Sequence, residues 1–169
     1  MNIVVCVKQV PDTGSERTLK DADSTLDREA SDALINELDE YAIEEGLRLA
    51  EAQGGEVTIL SMGPPRASES IRKALSMGAD KAVHLVDDGL AGSDALATSE
   101  AIAAVLAAIG FDLVILGSES TDARMGVLAA IMFVEKATPL GNRVVAPVGV
   151  VLGALAVIAL LVPGAIGGL

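Results

Sequence analysis

Four short apolar runs, at residues 2–8, 56–62, 81–86 and 113–116, are separated along this chain by stretches whose apolar residues recur at helical spacing. The run Leu113-Val114-Ile115-Leu116 is too continuous for a half-exposed strand and too short for a helix, so it reads as a strand buried on both faces. Ile3-Val4-Val5-Cys6-Val7 reads the same way. Glycines close the helical stretches at Gly54, Gly78 and Gly110. Strand and helix in alternation build right-handed βαβ units, which fixes the expected fold class as α/β with a doubly wound parallel sheet.

The connections carry their own signals. Residues 9–14, QVPDTG, read as a turn, and residues 12–31 are polar or charged with little apolar period. That is long for a structureless loop, so a hairpin or a functional role is expected for this excursion across the strand ends. Residues 36–39, Asn36-Glu37-Leu38-Asp39, open a helix, with Asn36 or Asp39 as cap and acidic residues in the first turn. A second helix is expected over 67–77. A third follows the Asp87-Asp88-Gly89 turn, capped at Ser93 or Asp94 and running to Ile109.

In such a sheet the ligand crevice lies at the carboxyl ends of the strands. The last strand ends at Gly117, which leaves room for close approach to the backbone. Small polar residues follow, Ser118, Glu119, Ser120, Thr121 and Asp122, and a helical pattern resumes at Gly126. Backbone N–H groups over residues 120–126, with the hydroxyls of Ser118, Ser120 and Thr121, can cradle a phosphate without a lysine, and Arg124 supplies one positive charge. Asn36 has the donors and acceptor to read a purine edge, and Leu38 or Met62 can pack on its face. An ordinary N-cap loop explains residues 118–122 equally well on this ground alone. Neither G-x-G-x-x-G nor G-x-x-x-x-G-K-[ST] occurs.

Other conspicuous residues read as structural. Cys6, the single cysteine, excludes an internal disulfide and sits in an apolar strand as an inert thiol. His84 is a structural histidine without a nucleophile at motif spacing. Glu40, Glu44 and Glu45 form a solvated helix face, or one turned to a partner subunit. Asp87, Asp88, Asp94 and Asp122 have turn or cap duty, because their spacing makes no metal loop. A net charge of −12 argues against a nucleic-acid surface, and two Phe, one Tyr and no Trp leave no stacking platform. The N-terminus reads as a strand and not as a targeting segment. After Arg143 no charged residue occurs, and residues 144–169 read as a membrane anchor, a buried strand with an irregular arm, or the by-product of a frameshift or truncation.

Four blocks carry a family resemblance: VVCVKQVPD at 4–12, EYAIEEGLRLAE at 40–51, RKALSMGADKAVHLVDD at 72–88 and LVILGSESTD at 113–122. In order and spacing they resemble the beta subunit of bacterial electron transfer flavoprotein. The match runs to about residue 139, which divides the chain into a nucleotide-binding α/β domain (1–139) and a hydrophobic tail (140–169). The resemblance implies an adenine-nucleotide alpha-hydrolase-like sheet, incomplete at its C-terminus. It implies an electron-transfer accessory protein, not a catalyst, in the bacterial cytoplasm, or at the membrane if the tail spans. Its partners would be an alpha subunit, which holds most of the FAD, and the dehydrogenases of fatty acid oxidation as electron donors.

AMP, bound structurally, would touch Cys6, Asn36, Glu37, Leu38, Asp39 and Met62. It would also touch Gly117, Ser118, Glu119, Ser120, Thr121, Asp122, Ala123, Arg124, Met125, Gly126, Val127 and Leu128. In electron-bifurcating relatives a second FAD takes this place. From residue 141 onward the family's docking loop and subunit-wrapping arm have no counterpart. The alternative is a free-standing or membrane-tethered adenine-nucleotide sensor module.

Overall fold

In the computed structural model, which describes residues 1–123, the N-terminal apolar run forms β1 (Asn2–Cys6). Three further strands join it: β4 (Glu56–Met62), β5 (Lys81–Leu85) and β6 (Leu113–Leu116). All pair in parallel in the order β5-β4-β1-β6, with Val5 level with Ile59 on one side and Ile115 on the other. The parallel α/β architecture expected above is therefore present. Arg124, Met125, Gly126, Val127 and Leu128, the boundary at 139 and the tail over 140–169 lie outside the described residues.

Helix α1 (Glu37–Gln53) runs between β1 and β4, α2 (Ser68–Ser76) between β4 and β5, and α3 (Ala95–Ile109) between β5 and β6. Strand alternation sends Ile3, Val5, Val57 and Ile59 to one face, where they pack with Ala42 and Ile43 of α1 and Ala74 of α2. Val4 and Leu60 point the other way and are 1% exposed. Ile109 and Gly110, at the end of α3, line a hollow of about 480 Å³ with Val4 and Thr58 on that second face. Helices thus flank the sheet on both sides.

Helix ends follow local chemistry. The Asp94 carboxylate accepts the Ala97 N–H at 2.9 Å to start α3, and Asp87 accepts the Gly89 N–H at 2.8 Å in the turn before it. Gly54 and Gly110 end their helices at φ of 74° and 72°, where a side chain would be strained. Glu44 and Glu45 are exposed on α1, and Glu40 is half-buried. His84 sits half-buried with Nε2 at 3.1 Å from the Gly63 carbonyl, in keeping with a structural role.

Three expectations need correction. Residues 9–14 are not simply a turn: β2 (Gln9–Pro11) pairs antiparallel with β3 (Ala33–Ile35). Such short strands show no period, and they form because the two ends of the excursion must meet. The Asp12 N–H bonds the Asp32 carbonyl and the Asn36 N–H bonds the Lys8 carbonyl, at 2.8 and 2.9 Å, sealing the neck of the loop. Within the excursion a small hairpin does form, bridged at Leu19 and Leu26. Secondly, β6 is not buried on both faces. Its four residues are half-buried, because among the described residues it pairs with β1 alone. Thirdly, Asn36 stands at the N-cap of α1 but its side chain makes no cap hydrogen bond, being drawn elsewhere.

Candidate functional site

Strand order makes β1 and β6 neighbours: after β1 the chain moves out to β4 and β5 on one side and then crosses back to β6 on the other, so the crevice of this fold opens beyond Cys6 and Leu116. Lys8 leaves β1 there, α1 begins there, Met62 ends β4 on the same rim, and residues 117–122 leave β6 into it.

The join is made by two buried side chains of α1's first turn. Asn36 is 1% exposed, and its Nδ2 donates to Asp39 Oδ1 at 3.0 Å and to the Glu119 carbonyl at 2.9 Å. Its Oδ1 accepts the Thr121 N–H at 3.1 Å. Every arm of the amide is engaged within the protein, so Asn36 shapes the loop instead of presenting a purine-reading edge. Asp39 is equally spent, with Oδ2 accepting the Lys8 N–H at 2.7 Å. The Gly117 amide also bonds this carboxylate. Gly117 is needed here for the approach of α1: a Cβ on it would collide with Asp39 Oδ1.

A second network lies above the first. Asp122 Oδ1 and Oδ2 take Lys8 Nζ at 2.9 Å and an Arg28 guanidinium nitrogen at 2.7 Å, and Lys8 Nζ also reaches Ser120 Oγ at 3.3 Å. The Asp122 side chain is 2% exposed, whereas those of Lys8 and Arg28 are 43% and 47% exposed. Asp122 stands in the turn over residues 121–123, as expected, and in addition anchors two cations. The loop expected to cradle a phosphate without a lysine has Lys8 bonded to its Ser120. Neither Lys8, although it lies in the VVCVKQVPD block, nor Arg28 is among the expected site residues, and only the polarity of the excursion points toward Arg28. The excursion is held down further by Arg66, which donates to the Arg28 and Ser31 carbonyls at 2.6 and 3.3 Å.

Thr121 Oγ1 is buried and has no hydrogen-bond partner, while the N–H of the same residue bonds Asn36 Oδ1. Cys6 is buried at the strand end with its thiol pushed up to about 12 by burial and by the Asp39 charge, so it is inert and only its backbone is at the rim. Glu37 is exposed, Leu38 and Met62 are half-buried, and Ser118 and Ala123 are exposed. Among the described residues no group of His, Cys, Asp and Glu is placed to hold a metal. No helix among them is long and apolar enough to cross a membrane.

The two carboxylates titrate in opposite senses. Burial drives Asp39 up to about 6, against the hydrogen bonds from Asn36 and the Lys8 amide. Its folded pKa lies above the unfolded one, so its contribution to stability is whole below about pH 4 and is lost as pH rises through about 6. Burial also raises Asp122, but the bonds from Lys8, Arg28 and Ser120 prevail and hold it at about 2. That stabilisation is present above about pH 4 and is lost as pH falls toward 2. Carboxyl-carbon NMR should show a midpoint near 6 for Asp39 and none above 3 for Asp122; ordinary values near 4 for both would disprove the assignment.

The model of the electron transfer flavoprotein domain matches residues 23–154. The chain belongs to the electron transfer flavoprotein family. It is 58% identical over 137 residues to the electron transfer flavoprotein subunit beta of Mycobacterium leprae, covering 78% of this chain and 52% of that one. Over 127 residues it is 46% identical to Protein FixA of Sinorhizobium fredii, at 72% and 44% coverage. It is 47% identical over 122 residues to the electron transfer flavoprotein subunit beta of Clostridium acetobutylicum, at 72% and 47% coverage. The chain spans about half the length of the curated relatives it matches. The matched stretch takes in α1 and β6 of the rim, and β1 lies before it.

Proposed function

We propose that this chain serves as an electron transfer flavoprotein beta subunit whose α/β domain, residues 1–139, holds AMP structurally at the β1/β6 rim. The observation that carries the proposal is the meeting of Lys8, the first turn of α1 and residues 117–122 at one strand-end crevice, with two half-exposed cations and the orphaned Thr121 hydroxyl beside it. A monophosphate fits that donor set: Lys8 Nζ and the Arg28 guanidinium face it, and the Thr121 hydroxyl gains the partner it lacks. Half-buried Met62 and Leu38 offer apolar surface for the adenine. Asn36 and Asp39 position the loop from beneath.

In this reading the chain is an accessory and not a catalyst. Electrons pass from dehydrogenases, those of fatty acid oxidation among them, through FAD shared with an alpha subunit. Flavin supplies the redox chemistry, and the part of these residues is to fix the fold against which the partner docks.

Two measurements test the proposal. Calorimetric titration should give binding of AMP with much weaker ATP; preference for ATP would favour a nucleotide sensor, and binding of FAD at the rim would replace AMP by a second flavin. Co-expression with an alpha subunit of the family should yield a yellow complex on purification. A colourless chain that leaves its intended partner behind would overturn the electron-transfer assignment.

A further inference from the structure

Lys8 and Arg28 come from different segments, one just past the end of β1 and the other from the excursion, and both close on a single carboxylate that solvent barely reaches. The exposure is uneven in a useful way: nearly half of each cation's side chain is open, and the counter-ion lies hidden beneath. An anion arriving from solvent meets two cations already half neutralised. Resting on the nucleotide-binding reading above, we propose that Asp122 is a specificity-determining residue, a buried counter-charge that leaves the cluster of Lys8, Arg28 and Asp122 with one net positive charge and so selects a nucleoside monophosphate over di- and triphosphates.

The physical argument is electrostatic. Each added phosphate brings about one further negative charge, and close to the surface a charge at ion-pair range changes affinity by about tenfold or more. Lys8 and Arg28 with Asp122 removed would offer two unshared positive charges, suited to a polyphosphate. With Asp122 present the second is withdrawn. The Asp39 carboxylate, which accepts the Lys8 N–H, adds to the same bias from beneath. Among the described residues no other cation forms an ion pair with residues 117–122.

Asp122→Asn keeps the shape and removes the charge. Calorimetric titration of the wild type and Asp122→Asn with AMP, ATP and inorganic pyrophosphate is the test. The ratio of ATP to AMP affinity should rise about tenfold or more in the variant, pyrophosphate binding should appear, and Lys8→Met added to Asp122→Asn should abolish both gains. Asp122→Glu, which restores the charge, should restore the preference. An unchanged ratio with AMP binding intact would sink the counter-charge role and leave the AMP reading standing. Conversely, a wild type that ignores AMP beside a variant that gains pyrophosphate would reject the AMP reading and uphold the counter-charge. Should Asp122→Asn fail to fold, Lys8→Met alone decides: a tenfold loss of AMP affinity, with a shallower dependence on salt, supports the assignment, and unchanged affinity overturns it.

Discussion

Gly117→Val is expected to lower stability by about 3 kcal/mol or more, placing it at the severe end of overpacking substitutions. Even the first carbon of the new side chain would lie 2.2 Å from Asp39 Oδ1 and 3.1 Å from the Leu38 carbonyl carbon. Neither obstacle is the free end of a flexible chain. Asp39 is fixed by the Lys8 amide and by Asn36, so the start of α1 must move away from β6. The sequence reading assigned this glycine to ligand approach; the structure assigns it to helix approach, and the two differ in what they predict. Urea unfolding without any nucleotide should show the loss in full. Gly117→Ala should already show much of it, and combining it with Asp39→Ala should cost less than the sum of the two. A variant as stable as wild type that has lost only nucleotide affinity would restore the original assignment.

Asn36→Ala should cost about 3 kcal/mol, and more of that loss should be felt at the loop than in the helix. The substitution takes a buried hydrogen bond from the Thr121 N–H, the Glu119 carbonyl and Asp39 Oδ1, each of which now meets the amide at 2.9 to 3.1 Å. Leaving a buried polar group without its partner costs about 1–3 kcal/mol. Hydrogen exchange should therefore quicken at Thr121 well before it does in β1 or β4. Uniform acceleration across the sheet would mean that Asn36 supports the whole domain and has no special hold on the loop.

What the sequence disclosed depended on how local the cause was. Glu56–Met62 is legible to the residue because Val57, Ile59, Leu60 and Met62 fall close together between Gly55 and Gly63. Asp94 and Gly110 marked the two ends of α3 through contacts within a few residues of themselves. Lys8 and Arg28 were invisible by the same logic. Their shared partner Asp122 lies 114 and 94 residues away along the chain, and no spacing rule reaches that far. Asn36 was correctly singled out as a polar residue at a helix start, yet its chemistry was misread. A buried amide flanked by a carboxylate, a carbonyl and an N–H is satisfied before any ligand arrives. β2 and β3 escaped notice because three residues carry no periodicity, although pairing them is what delivers Lys8 to Asn36.

The lone thiol has a practical use that follows from its place. Cys6 stands in register with Leu60 on one side and Leu116 on the other, hidden and almost wholly protonated at neutral pH. A sulfhydryl reagent can modify it only after those strands have parted at the rim. Its labelling rate, followed by mass spectrometry, is therefore a built-in clock for opening of the crevice, and any ligand that closes the rim should slow that clock in proportion to its occupancy.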